Sequence, residues 1–287
     1  MTVQQLSSVA IHNVAVATDF SECSERAVEH AMAIARHFGA TLHLLHLVRP
    51  SKFAFVPEMM PAIDEAAGRD SEQYVARLTG SHQLDGVQLQ RWVEQGEVSD
   101  VANGFVNDHH IDMLIVGTHG RSGIPRLILG SVAQQIFHSV RCPVLVVGPR
   151  APGAGPQLQL KKVLFATDLS QESLAALPFA LTAVGEWRTE LDVLHICTTG
   201  NAEHPRLMNE LRARIDAELD SKEHGSVRLH LQRGKPMPCV TDFACHNHAD
   251  AIILGLKPHR GLYDAPFWSH AYEIMRHAPC PVLSVRG

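Results

Sequence analysis

No run of apolar residues approaches the roughly 20 positions a membrane-spanning helix needs, and the segment from Met1 to Ile11 has no basic stretch leading into an apolar one. A cytoplasmic chain with no membrane partner is expected. Cys-x-x-Cys is missing. The six cysteines, Cys23, Cys142, Cys197, Cys239, Cys245 and Cys280, are scattered, which argues against a disulfide framework or a four-cysteine zinc site and for reduced thiols. Neither Gly-x-Ser-x-Gly nor His-Glu-x-x-His occurs, and no nucleophile or general base stands out, so the expectation is no catalytic residue. Positive charge is also short: 25 Lys and Arg face 30 Asp and Glu, for a net charge of −5 without a basic stripe. Nucleic acid is disfavoured as a partner.

What is there is an ordinary globular composition, 45% apolar and 19% charged, in a chain of 287 residues, long enough for two domains. The chain repeats itself. Val14-Ala-Val-Ala-Thr18-Asp19-Phe-Ser21 returns as Val163-Leu-Phe-Ala-Thr167-Asp168-Leu-Ser170, and Leu45-His46 as Leu194-His195, both displaced by 149 positions. Gly96 with Gly234, Ile111 to Gly117 with Ala249 to Gly255, and Cys142-Pro-Val-Leu145 with Cys280-Pro-Val-Leu283 are displaced by 138. The second copy has therefore lost eleven residues between its second and third strands. Gly148 to Pro156, rich in Pro and Gly, reads as a linker with its boundary near residue 155. The expected domains are residues 1–150 and 159–287.

In the first copy, short β-branched runs (Asn13 to Thr18, Thr41 to Val48, Val87 to Glu94, Asp112 to Gly117, Val144 to Gly148) alternate with amphipathic stretches. Strand-helix alternation of this kind predicts a parallel sheet covered on both faces, with ligands bound beyond the carboxyl ends of the strands. The first helix should run from an N-cap at Ser21 to a C′ glycine at Gly39, burying Ala27, Val28, Ala31, Met32, Ile34, Ala35 and Phe38. The fourth strand exits through Gly117-Thr118-His-Gly120-Arg121, and nine residues separate Gly120 from Gly130-Ser131-Val132, where a helix opens. Glycines let backbone N–H groups approach a phosphate, and a helix start adds unpaired amides and a positive dipole end. Arg121 and Arg126 either add charge or stand as solvated loop cations. Asp19, on the same edge, either accepts from ribose hydroxyls or serves the first helix as a cap. Val48, ending strand two, could offer its backbone to a purine edge.

These residues resemble those of a tandem universal stress protein, over essentially the whole chain. The family's nucleotide-binding members carry Gly-x-x-Gly, nine residues, Gly-(Ser/Thr), which residues 117–131 satisfy. The resemblance implies two doubly wound five-stranded parallel-sheet domains of the adenine-nucleotide α-hydrolase-like type, in a pseudo-twofold tandem. It implies ATP, or AMP or ADP, with Mg²⁺ on the phosphates. By resemblance Ala17, Asp19 and Val48 contact adenine and ribose, while Gly117, Thr118, Gly120, Arg121, Gly130, Ser131 and Val132 hold ribose and phosphates. It also implies pairing through the last strands, Val144 to Val147 and Val282 to Val285, within the chain, with a homodimer as a further step.

In the second copy Gly120 becomes Pro258, Gly130 becomes Trp268, and only Gly255 and Ser269 survive. Proline removes a donor and an indole fills space a phosphate needs, so one nucleotide site per chain is expected. Asp168, Pro258, His259, Arg260, Trp268 and His270 are left around the second pocket. Among 19 histidines, Cys245-His246-Asn-His248 with Cys239 is the densest group of metal donors, but His246 and His248 point apart on a helix, and no metal site is expected. His109 and His110 read as surface residues, His43 and His46 as strand residues, and Arg233-Gly234-Lys235-Pro236 as a turn into a helix. The expected function is a stress-response sensor or regulator. The alternatives are a slow ATPase or nucleotidyl enzyme on the same site, and an interaction scaffold whose cradle stays empty.

Overall fold

The computed structural model describes residues 9–48, 60–118, 130–197, 204–219, 225–257 and 265–287, with backbone alone at 22–23, 60–65 and 265–269. Two compact units result, Ile11–Leu158 and Gln159–Gly287, with Val9 and Ala10 grouped with the latter. The Val9 N–H donates to Thr182 Oγ1 at 3.0 Å.

The first unit runs β1 (Asn13–Ala17), α1 (Glu22–Phe38), β2 (Thr41–Val48), α2 (Met60–Gly80), β3 (Gln88–Gln95), α3 (Val98–Asp108), β4 (Met113–Gly117), α4 (Ser131–Ser139) and β5 (Val144–Val147). Its strands are all parallel in the order β3-β2-β1-β4-β5. β1 lies between β2 and β4, so successive crossovers leave it in opposite directions, and the topology switches between β1 and β4. β1, β4 and β5 are buried almost throughout, which is why their residues read as continuous apolar runs. α1 starts at Ser21, whose Oγ accepts from the Ser24 N–H, and stops at Gly39 in the left-handed region at φ 63°. Its buried face holds Ala27, Val28, Ala31, Met32, Ala33, Ile34 and Ala35, while Phe38 is half-buried.

The second unit repeats the order: β6 (Lys162–Thr167), α5 (Gln171–Leu174), α6 (Leu177–Trp187), β7 (Glu190–Cys197), α7 (His204–Glu218), β8 (Val227–Arg233), α8 (Pro236–His246), β9 (Ala251–Leu256), α9 (Ala265–His277) and β10 (Val282–Arg286). Its parallel order is β10-β9-β6-β7-β8. Two departures matter. Where α1 is one helix of 17 residues, α5 and α6 are separate, because Pro178 at the start of α6 supplies no N–H to continue the ladder. The eleven missing residues fall in the β7–β8 crossover, where α7 has 15 residues against 21 in α2 and begins seven positions after the end of its strand.

The Pro/Gly-rich stretch expected to be a linker is strapped along α1. Arg26 Nη1 donates to the Pro149 carbonyl at 2.6 Å and Arg36 Nη1 to the Pro156 carbonyl at 2.7 Å. His30 Nε2 meets the Pro152 carbonyl at 3.0 Å, and Ala151 is buried. Among the described residues no helix is long and apolar enough to cross a membrane.

Candidate functional site

At the carboxyl end of β1 the chain turns sharply, and side chains build the turn. Thr18 is buried; its Oγ1 accepts from the Phe20 N–H at 3.0 Å and shares a hydrogen bond with Ser24 Oγ at 2.9 Å. Phe20 takes φ 60°, a strained value for a residue with a Cβ. Its ring is held between His46 and Tyr74, at centroid distances of 4.5 and 4.9 Å. His46 Nδ1 in turn donates to the Thr18 carbonyl at 2.8 Å.

Asp19 is half-buried beside this turn, and its Oδ1 accepts from both the N–H and the hydroxyl of Ser21, at 3.1 and 2.6 Å. The cap of α1 is therefore Ser21, not Asp19. Asp19 orients the cap by an Asx turn. Ala17 ends β1 in register with Leu45 and Val116, which places it at the switch point. The carbonyl of Val48, at the end of β2, accepts from the Gly96 N–H at 3.3 Å.

Across the switch point, Gly117 ends β4. The buried Thr118 donates its N–H to the Val147 carbonyl at 3.1 Å and accepts the Gly130 N–H at 2.6 Å. Gly130 is the N-cap of α4, with its carbonyl receiving the Gln134 N–H at 2.9 Å. The Gly130 N–H is engaged with the Thr118 carbonyl, so the amides that the helix start presents are those of the first turn of α4 that follows it. Ser131 is exposed and Val132 half-buried at that helix start. The Gly130–Thr118 bond sets the start of α4 beside the end of β4. Gly120, Arg121 and Arg126 lie outside the described residues.

In the second unit the β6 turn is the same turn. Thr167 Oγ1 accepts from the Leu169 N–H at 2.9 Å and pairs with Ser173 Oγ, Leu169 takes φ 66°, Asp168 Oδ1 accepts from the N–H and hydroxyl of Ser170, and His195 Nδ1 donates to the Thr167 carbonyl at 2.9 Å. The other side of the site is different. α9 begins at Ala265, four residues before Ser269, which aligns with Ser131. The amide of Ser269 is consequently inside the helical ladder, bonded toward residue 265 rather than exposed at a helix start. The two copies thus differ in where this helix begins, in addition to the side-chain exchange the sequence displays. Gly255 survives for another reason: a Cβ there would collide with the backbone carbonyl of Ser173. Pro258, His259 and Arg260 lie outside the described residues, as does the side chain of Trp268, and His270 is exposed.

The histidine groups resolve locally. His246 Nδ1 bonds the Asp242 carbonyl one turn back on α8, and His248 occupies the left-handed position after the helix, at φ 54°. His110 does the same after α3 at φ 50°, so this histidine is a helix-stop residue in both copies. His43 is buried, accepts from Trp92 Nε1 at 3.2 Å and meets Asn13 Oδ1 at 3.3 Å. Burial, and then the neighbouring His109, hold its pKa below the ordinary imidazole value. Arg233-Gly234-Lys235-Pro236 is the turn it was read as: Gly234 at φ 158° leads into α8 with Lys235 as N-cap. What sequence reading missed is the Thr18–Ser24 and Thr167–Ser173 hydroxyl pairs that hold both turns; the constancy of the repeat was the available signal.

Comparison with known proteins places both units. The family model described as the Universal stress protein family matches residues 10–148 and again 159–286. The chain is 28% identical over 136 residues to Universal stress protein MJ0531 of Methanocaldococcus jannaschii, covering 47% of this chain and 80% of that protein. It is 27% identical over 143 residues to Universal stress protein YxiE of Bacillus subtilis, covering 46% of this chain and 95% of that one. A solved universal stress protein from Archaeoglobus fulgidus superposes over 96% of this chain and 98% of its own at a TM-score of 0.75, with 18% identity, a likeness of fold. On two matches that between them span nearly its whole length, the chain belongs to the universal stress protein family, with two family domains in tandem.

Proposed function

We propose that the first unit binds ATP or another adenine nucleotide, with Mg²⁺ on its phosphates, and that the chain acts in the cytoplasm as a sensor or regulator in stress responses rather than as an efficient enzyme. The observation that carries this reading is Gly130 as the N-cap of α4, returned to the β4 exit by its bond to Thr118 and following Gly117 and Gly120 at the spacing of a phosphate cradle. Amides at a helix start favour an anion. Gly117, Thr118, Gly130, Ser131 and Val132, with Gly120 and Arg121 from the intervening loop, take the phosphates in this reading, while Ala17, Asp19 and Val48 take the nucleoside. Holding a nucleotide in its ground state does not accelerate its chemistry, which favours occupancy itself as the signal.

Titration calorimetry with ATP and Mg²⁺ tests this. About one site per chain is expected. Gly120→Pro with Gly130→Trp installs the residues of the second copy and should weaken binding about 100-fold or more, near 2.7 kcal/mol, without shifting the thermal transition of the second unit. Wild-type affinity in that double variant overturns the assignment. Turnover that survives purification and vanishes in Asp19→Ala would replace a sensor with an enzyme.

A further inference from the structure

We propose that His195, Cys197 and His204 form a binding site for a borderline-soft transition-metal ion, zinc first, at the β7 exit of the second unit. The donor atoms of the three side chains all lie within 4.8 Å of one another. His195 and Cys197 are two apart on β7 and so share a face of the sheet, and His204 opens α7. His195 is 2% and Cys197 9% exposed, and His204 is half-buried, so the cluster is sheltered with one side toward solvent.

The hydrogen bonds orient the first ligand. The Thr167 carbonyl can only accept, so His195 Nδ1, 2.9 Å away, carries the proton. Its Nε2 lone pair is then aimed into the cluster, 2.7 Å from His204 Nδ1. A ring that donates one N–H to a backbone carbonyl and presents the other nitrogen is the usual arrangement of a metal-bound histidine. Two nitrogens on one tetrahedral zinc stand about 3.3 Å apart at Zn–N lengths of about 2.0 to 2.1 Å, so a small opening of the imidazole pair admits the ion. Cys197 Sγ would join as thiolate, releasing its proton to solvent. Two imidazoles and a thiolate suit zinc and leave a fourth position for water or an exchangeable ligand.

The first copy is an internal control. His46 makes the same bond to the Thr18 carbonyl, so the histidine strut belongs to the fold. The other two ligands do not. Cys197 stands where the first copy has Val48, and the shorter crossover brings the start of α7 close behind β7. Both additions occur in the copy that has lost its cradle, at the strand exit that the first copy leaves to a nucleoside. The proposal does not depend on nucleotide binding by the first unit.

Equilibrium titration of the full chain with zinc, and with cobalt(II) as a coloured substitute, tests it. Expected is one tight site whose cobalt form shows intense tetrahedral visible bands and a thiolate-to-cobalt charge-transfer band. Cys197→Val, which installs the residue of the first copy, should erase the charge-transfer band, and His204→Asn should weaken zinc binding about 100-fold. Melting curves of the metal-free variants, and the added stability that zinc gives each, separate loss of the site from loss of the fold. No tight site, a cobalt spectrum without the thiolate band, or a band that persists in Cys197→Val overturns the site and leaves an imidazole–imidazole hydrogen bond beside a buried thiol.

Discussion

The two copies agree at the β1/β6 exit and disagree at the β4/β9 exit. Threonine, aspartate, a strained apolar residue, serine and histidine make the same bonds at Thr18 to Ser21 with His46 and at Thr167 to Ser170 with His195. Only the first copy keeps the glycine-serine helix start. Residues retained by a copy that has lost the cradle are therefore retained for the fold, and the Asp19 turn cannot on its own argue for a ligand. Gly255 is the hardest case, because its partner Gly117 belongs to the proposed cradle. If Gly255 is there to admit the Ser173 carbonyl, Gly255→Ala must displace backbone, and a cost of about 3 kcal/mol is expected. Calorimetry should show the second unit melting earlier and the first unchanged. A tolerated alanine would break the assignment of shared residues to the fold.

A second pair predicts equal effects in both units. Asp112 Oδ2 accepts the N–H groups of His12 and Asn13 at 2.7 and 2.9 Å, pinning the start of β1 to β4. Asp250 Oδ2 accepts those of Lys161 and Lys162 at the same two distances. Each carboxylate makes two charge-assisted bonds, so Asp112→Ala and Asp250→Ala should each cost about 2 kcal/mol, read separately by hydrogen exchange of β1 and β6. Unequal losses would show that one unit leans on this clamp and the other does not.

Much of this was legible because the chain carries its own second example. Ser21 and Gly39 bound α1 because a side-chain cap and a left-handed glycine are local chemistry. The strand order follows from βαβ connections. Other features were not local. Gly148 to Pro156 has the composition of a free linker, and only the carbonyls that Arg26, His30 and Arg36 reach show it to be a strap. The shift of the α9 start to Ala265 was hidden because helix propensity does not mark a boundary to four residues. His204 joins His195 only through the shortened crossover, which the offset between the two repeats revealed without showing what it brings together.

The smallest expected effect separates the units by pH. In the first, His43 accepts from Trp92 with Phe105 edge-on to the indole. At the aligned positions the second has Asp192 accepting from His230 Nε2 at 2.8 Å and Arg228 Nε at 3.0 Å, with Phe243 against His230. A histidine–indole pair has been exchanged for a carboxylate that is ion-paired to Arg228 and hydrogen-bonded to His230. In the first unit burial lowers the pKa of both His30 and His43 below 6.5, and Phe179 and Asp192 stand at their places in the second. An imidazole with a depressed folded pKa contributes fully above its unfolded value. As pH falls below about 6.5 the unfolded chain takes up the proton first, and stability is lost until the folded pKa is passed. Among the described residues the second unit has one such group, His195. The first unit should therefore lose protection in hydrogen exchange more steeply as the pH is lowered from 7 toward 5. His30→Gln, which keeps a donor for the Pro152 carbonyl but does not titrate, should flatten that slope by about half. An unchanged slope in that variant would mean that the strap over α1 opens before His30 protonates.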